Sequence, residues 1–313
     1  MRKLILIVIV TTPARLVAQH DHMHSTPAAE HVLTAARQSV ASITDTGAAR
    51  AAGYRPIEEL GVPDRNPFQG QHWYSRAHSD TLPEARLDAP AFVLFSPING
   101  RLERIAVAYA VRLRHETAPP AALGDDSSAM WHIHVLCNFT SPSGRPIVDQ
   151  LPDTAVCRAR GGQPQPRRTV MIHVWTDVTN PEGVYGHDNP ALPFLAVGLT
   201  PPNTSTREAR ELALALGESY GAGLENGYLI EQANTNMGLA DSLRAHRAVI
   251  RDLVPLLRRA EAAHDNPAYA RAATRMRGEG RAIERIYEQM AQPDALTALR
   301  AQYQSILTKS TMQ

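Results

Sequence analysis

The stretch AFVLFSPINGRLERIAVAYAVRLR, residues 91–114, restricts the fold more than any other part of the chain. Two strand-like runs flank Asn99-Gly100. Asn-Gly is the preferred two-residue hairpin turn, because both central positions need positive φ. Two more strand-like runs follow: MWHIHVLCNF at 130–139, ended by Ser141-Pro142-Ser143-Gly144, and TVMIHVWTDV at 169–178. No helical period separates these runs, and strands joined by turns and loops imply an antiparallel sheet. Residues 28–53 are alanine-rich and helical in pattern, with a break near Thr44-Asp45-Thr46-Gly47. Residues 61–73 and 179–194 read as loops, and 145–168 as irregular Pro/Gly/Arg-rich chain.

After LTPPNTST the pattern turns helical to the end of the chain. Ser205 or Thr206 can cap a first helix that has Glu208 in its first turn. A later helix is expected to start with Asn266 as its N-cap and Pro267 at the first helical position, and to end at Gln292-Pro293, with a last short helix beyond. The expected fold class is therefore α+β. An antiparallel β-sheet domain with N-terminal helices spans 28–200, and a C-terminal helical hairpin or bundle spans 205–313.

The strands carry the chemistry. His132 and His134 alternate with apolar residues, so on a strand they share a face, roughly 6–7 Å apart. In the last strand His173 shares a face with Met171 and Trp175, while Val170, Ile172 and Val174 form the more core-like face. If these two strands pair, three imidazoles converge. A His-x-His pair completed by a histidine from an adjacent strand can hold one metal ion and leave a coordination position open. His72 in GQHWYSR and His187 in YGHDNP lie in loops beside glycines, and Asp188 is placed to orient His187. The candidate metal ligands are thus His72, His132, His134, His173 and His187. Zinc or copper suits such an imidazole set best. The same histidines also fit ordinary structural roles.

The N-terminus MRKLILIVIVTTPARLVA, residues 1–18, reads as a secretory signal: a basic start and an apolar stretch too short to span a bilayer. Residues 19–27 begin QHDHMH and read as a His-rich disordered tail that collects metal weakly. The protein is expected to be exported, periplasmic or extracellular, with no membrane span in the mature chain. Removal of Arg2, Lys3 and Arg15 with the signal would take the formal net charge from +1 to −2, which argues against a nucleic-acid partner. Cys137 and Cys157 are expected to form a disulfide in an oxidising compartment. Cys137 has the opposite parity to His132 and His134, so a regular strand turns it away from them.

Glu182, Tyr185 and Asp188 are candidate acid–base groups, with nothing in the sequence to set their geometry. The chain contains no HExxH, no phosphate loop and no dinucleotide fingerprint. His246 and His264 are isolated in the helical half. The stripe Leu243, Ile250, Leu253, Leu256 and Leu257 reads as a packing face, with a homodimer or protein partner as its other use.

Residues 30–195 carry an ordered set of short motifs: ARAAGYRPI, Gly70-Gln71-His72, the hairpin FVLFSPINGRLERIAVAYAV, and IHVWTDVTNPEGVYGHDNP. In this order and spacing the chain resembles an uncharacterised family of secreted bacterial proteins. The resemblance implies that His72 and His173 belong to a shared site, and it brings no activity with it. That family often has a glutamate before the hairpin tyrosine, where this chain has Ala108 before Tyr109.

Three functional readings follow. The first is an exported histidine-rich metal-binding protein or metal-dependent enzyme, with its site on the sheet face. The second is a non-catalytic accessory subunit that docks through its C-terminal helices. The third is a metal-free enzyme or small-ligand binder using the surroundings of Trp73, Trp131 and Trp175.

Overall fold

A computed structural model describes residues 27–60, 64, 66–79, 86–118, 123, 130–140, 144, 146–151, 153–159, 161–218 and 237–290. The signal-like segment, nearly all of the His-rich tail and the expected last short helix lie outside these residues. The architecture is α+β, as the sequence predicts: an antiparallel sheet preceded by helices and followed by packed helices.

Two short helices lead in, α1 (Pro27–Ser39) and α2 (Thr46–Ala51). Asp45 lies in the predicted break and caps α2, its carboxylate accepting from the Ala48 N–H at 2.8 Å. The strands are β1 (Arg55–Pro56), β2 (Gln71–Tyr74), β3 (Phe92–Ile98), β4 (Arg101–Arg114), β5 (His132–Thr140), β6 (Pro146–Leu151), β7 (Gln163–Pro164) and β8 (Arg167–Val174). Asn99 and Gly100 have φ of 50° and 78°, so the β3–β4 turn has the positive-φ pair that Asn-Gly predicts. The sheet order is β1-β2-β3-β4-β8-β5-β6, with β7 also on β5, and every pairing is antiparallel.

Strand β8 inserts between β4 and β5, which is the pairing that the histidine pattern requires. The long β4 pairs with β3 through its first half and with β8 through its second. Residues 145–168, expected to be irregular, contain β6, the short helix α3 (Thr154–Ala159) and β7. Strands β6 and β7 lack apolar alternation because they lie at the margin of the sheet, where pairing with β5 holds them.

The two faces of the sheet divide as parity dictates. Val93, Phe95, Val107, Tyr109, Ile172 and Val174 pack under α1 and α2 with Val32, Val40 and Tyr54. Phe92, Leu94, Ala106, Ala108, Ala110, Met171 and Trp175 form the core of the opposite face, with Leu192 above them. Arg104 ties the first layer together: it makes a two-pronged pair with Asp177 and also donates to the Val40 and Ile43 carbonyls.

The helices α4 (Leu192–Ala196), α5 (Arg207–Glu218), α6 (Met237–Ala262) and α7 (Asn266–Met290) follow. Thr206 caps α5, accepting from the Ala209 N–H. The cap of α7 is Asp265, which accepts from the Ala268 N–H, so Asn266 is already helical. Leu243, Ile250, Leu253 and Leu257 are buried against Leu212, Leu216, Met276 and Ile283 within the chain. Leu256 alone of that stripe stays outside, 44 % exposed. No helix among the described residues is long and apolar enough to cross a membrane.

Cys137 and Cys157 form a disulfide, with Cα atoms 5.8 Å apart. It fastens α3 to β5 beside Phe139 and Leu151. Closing a loop of sequence separation 20 stabilises a fold by about 3 kcal/mol in the chain-entropy model. Cys157→Ser is expected to cost that amount in denaturant unfolding and to leave the histidine-bearing face unchanged. A shift below about 1 kcal/mol would show that the loop is already ordered without the bond.

Candidate metal centre

The register settles which side chains share a face. In the β5–β8 ladder His132 stands opposite Met171 and His134 opposite Thr169. In the β4–β8 ladder Ala108 stands opposite His173, and in β3–β4 Ala108 stands opposite Phe92. His72 stands opposite Leu94, of the same parity as Phe92. Residues directly opposite in an antiparallel pair point the same way. His72, His132, His134 and His173 therefore all project from one face, with Ile133, Val170, Ile172 and Val174 on the other.

His187 arrives from the loop after β8. That loop is bound back onto its own strand: the Trp175 N–H donates to the Val184 carbonyl, and the Trp175 indole N–H donates to the Gly186 carbonyl at 2.6 Å. Asn180 donates to the Asp188 carbonyl at 2.9 Å, closing the loop on itself. The Asn189 N–H then donates to the Phe68 carbonyl at 2.7 Å. Phe68 in turn is buried among α5, α6 and α7. The C-terminal helices thus brace both loops that deliver site residues.

The five candidate histidines meet in one cluster. One ring nitrogen from each of His132, His134 and His187 lies within 4.8 Å of the other two, an arrangement that could hold a metal ion. The His132 ring centroid lies 4.2 Å from His187, 4.8 Å from His134 and 4.8 Å from His173. His173 Nε2 faces His72 Nε2 at 3.2 Å, although its ring centroid lies nearer His132, at 4.8 Å, than His72, at 5.4 Å. The structure therefore groups His187 with the His-x-His pair and His173 with His72.

The most telling atoms belong to His132. Both of its ring nitrogens are buried and neither has a hydrogen-bond partner. Such a group costs about 1–3 kcal/mol in an otherwise satisfied interior. Burial also moves the titration of the cluster. It holds His132 and His173 well below the ordinary imidazole range and lowers His134 to about 3, with neighbouring imidazoles adding to each shift. These three rings are neutral at physiological pH, the form that ligates metal.

Acidic and amide groups surround the rings. Asp64 accepts from the His72 backbone N–H and faces His72 Nδ1 at 2.9 Å. Asp188, 2 % exposed, lies 3.3 Å from His187 Nδ1 and accepts from Gln69 at 2.9 Å. His173 Nδ1 donates to the His187 carbonyl at 2.8 Å. The sequence marks Asp188 but not Asp64 or Gln69. The signal for Asp64 was its place in the loop VPDRNPFQGQH that ends on His72. Glu182 lies 3.7 Å from Arg210, and the buried Tyr185 belongs to the core beneath α1. His246 is held by Glu279 at 2.6 Å, and His264 ends α6 in the left-handed conformation.

A cavity of about 160 Å³ opens beside the cluster. His72 and His134 line it, with an apolar floor of Phe92, Ala110 and Met171 and with Arg112 and Gln150 further along.

Gly70 sets the approach of His72. Its φ is +73°, and a Cβ there would lie 2.5 Å from the Phe95 carbonyl oxygen and 2.9 Å from Ile105 Cδ1. Gly70→Ala is expected to cost roughly 2–4 kcal/mol through the left-handed backbone and the clash. Equilibrium denaturation measures it. A neutral result would mean that the loop can move without loss, and His72 with it.

No protein-family model, curated protein or solved structure matches the chain.

Proposed function

We propose that this is an exported metal-binding protein whose histidine centre holds a zinc or copper ion. The observation that carries the reading is His132: two buried ring nitrogens without hydrogen-bond partners, set among neutral imidazoles. The large majority of buried polar side-chain atoms have a hydrogen-bond partner, so an imidazole with neither nitrogen satisfied points to a ligand. His132, His134 and His187 supply the ligands, and Asp188 beside His187 Nδ1 orients that ring. The resemblance of residues 30–195 to the secreted bacterial family supports a place for His72 and His173 in the same centre. The signal-like N-terminus and the Cys137–Cys157 disulfide support export. The cavity beside His134 supports access by a small molecule, and with it metal-dependent chemistry.

Elemental analysis of purified, exhaustively dialysed protein tests the proposal. One or more tightly held zinc or copper ions per chain is the expected result. A folded protein that retains none, and takes up none from micromolar zinc or copper, sinks it.

A further inference from the structure

The His72–His173 pair poses a proton-counting problem separate from the triad. His173 Nδ1 lies 2.8 Å from the His187 carbonyl oxygen. A carbonyl can only accept, so Nδ1 carries the proton, and the neutral ring presents a bare lone pair at Nε2. His72 Nδ1 lies 2.9 Å from Asp64 Oδ1, and the other oxygen of Asp64 takes the His72 backbone N–H. An ionised carboxylate also only accepts, so His72 Nδ1 carries its proton and Nε2 is bare as well. The two bare nitrogens face each other at 3.2 Å. Lone pairs in that position need a positive charge between them, either an extra proton or a metal cation.

Two observations favour the cation. Two nitrogens bound at ≈ 2.0–2.1 Å to one tetrahedral ion are themselves about 3.3–3.4 Å apart, close to the separation seen. The outer nitrogens of the pair rest on a carboxylate and a backbone carbonyl, the partners that metal-ligating histidines usually have. The pair is also distinct from the three nitrogens grouped by His132, His134 and His187. His132 and His173, with ring centroids 4.8 Å apart, join the two sets.

We propose that His72 and His173 ligate a second divalent cation next to the one held by His132, His134 and His187, making the centre a two-metal site. Asp64 orients His72 for this. The cavity is lined by His72 from the pair and His134 from the triad, so a small molecule within it would reach both positions. The inference rests on the metal-binding reading above, and the experiment separates the two.

Titration of the metal-free full-length chain with zinc, followed by dialysis and elemental analysis, is expected to give two ions per chain. His72→Ala is expected to give one. Asp64→Asn keeps both histidines and is expected to weaken the second ion by 10–100-fold while leaving the first unchanged. Copper loading of the wild-type chain gives a reading that needs no variant. The second equivalent should broaden or quench the electron paramagnetic resonance signal of the first, because the two ions are neighbours. One ion per chain, unchanged by His72→Ala, or two non-interacting copper signals would overturn the second position and leave the triad standing. No ion at all would overturn both readings.

Discussion

His132→Ala is expected to abolish tight binding at the triad while leaving the metal-free protein folded. Full zinc sites contribute about 10–16 kcal/mol over four ligands, so one imidazole is worth roughly 3 kcal/mol, or about 100-fold in affinity. The stability of the metal-free chain moves by a different logic. Truncating a well-packed buried side chain usually costs about 2–5 kcal/mol. Here the same change also removes two buried nitrogens that have no hydrogen-bond partner, which relieves roughly 1–3 kcal/mol. The net effect without metal is therefore expected to lie between a gain of about 1 and a loss of about 4 kcal/mol. Competition with a zinc indicator reads the affinity, and denaturant unfolding in chelator reads the stability. A large loss of stability with unchanged zinc affinity would make His132 a packing residue.

The metal-free protein is expected to be acid-labile. Burial lowers the His132, His134 and His173 pKa values in the folded chain, His134 to about 3, against 6.5 for the free side chain. Below pH 6.5 the unfolded chain then binds protons that the folded chain refuses. Stability is highest above that pH and falls as the pH drops, with the His134 contribution running down to about pH 3. Each such imidazole contributes a slope of about 1.4 kcal/mol per pH unit in this window. His132 and His173 shift in the same direction and steepen the loss, against an ordinary domain stability of about 5–15 kcal/mol. Urea midpoints between pH 8 and pH 4 in chelator measure this. A flat profile would mean that the rings open to solvent at little cost. His134→Phe removes one titrating group and is expected to flatten the slope by about one proton's worth.

The sequence alone was enough for the hairpin, because Asn99-Gly100 specifies its turn by backbone sterics and the flanking runs need no partner to be recognised. Parity was equally legible. A period of two places His132 with His134, and His173 apart from Ile172 and Val174, in whatever sheet these strands enter. The opposite orientation of Cys137 follows from the same rule, and it lies in its own apolar cluster with Cys157. Strands β6 and β7 were not legible, because pairing with β5 specifies them and no apolar pattern does.

Which histidine joins which other was beyond the sequence. Strand order is a non-local choice, and only the insertion of β8 between β4 and β5 brings His173 beside His132. Ala108 faces His173 for the same reason, by a register that no local signal announces. The grouping of His187 with His132 and His134 depends on a loop held by Trp175, Asn180 and Asn189, and loop conformation follows from such tertiary hydrogen bonds rather than from periodicity. Asp64 became a site residue only when folding placed its carboxylate on both the backbone and the ring of His72. Local sterics and alternation act within a few residues and can be read along the chain. The meeting of five imidazoles from two strands of the ladder, one short strand and one loop is decided by packing across the whole fold.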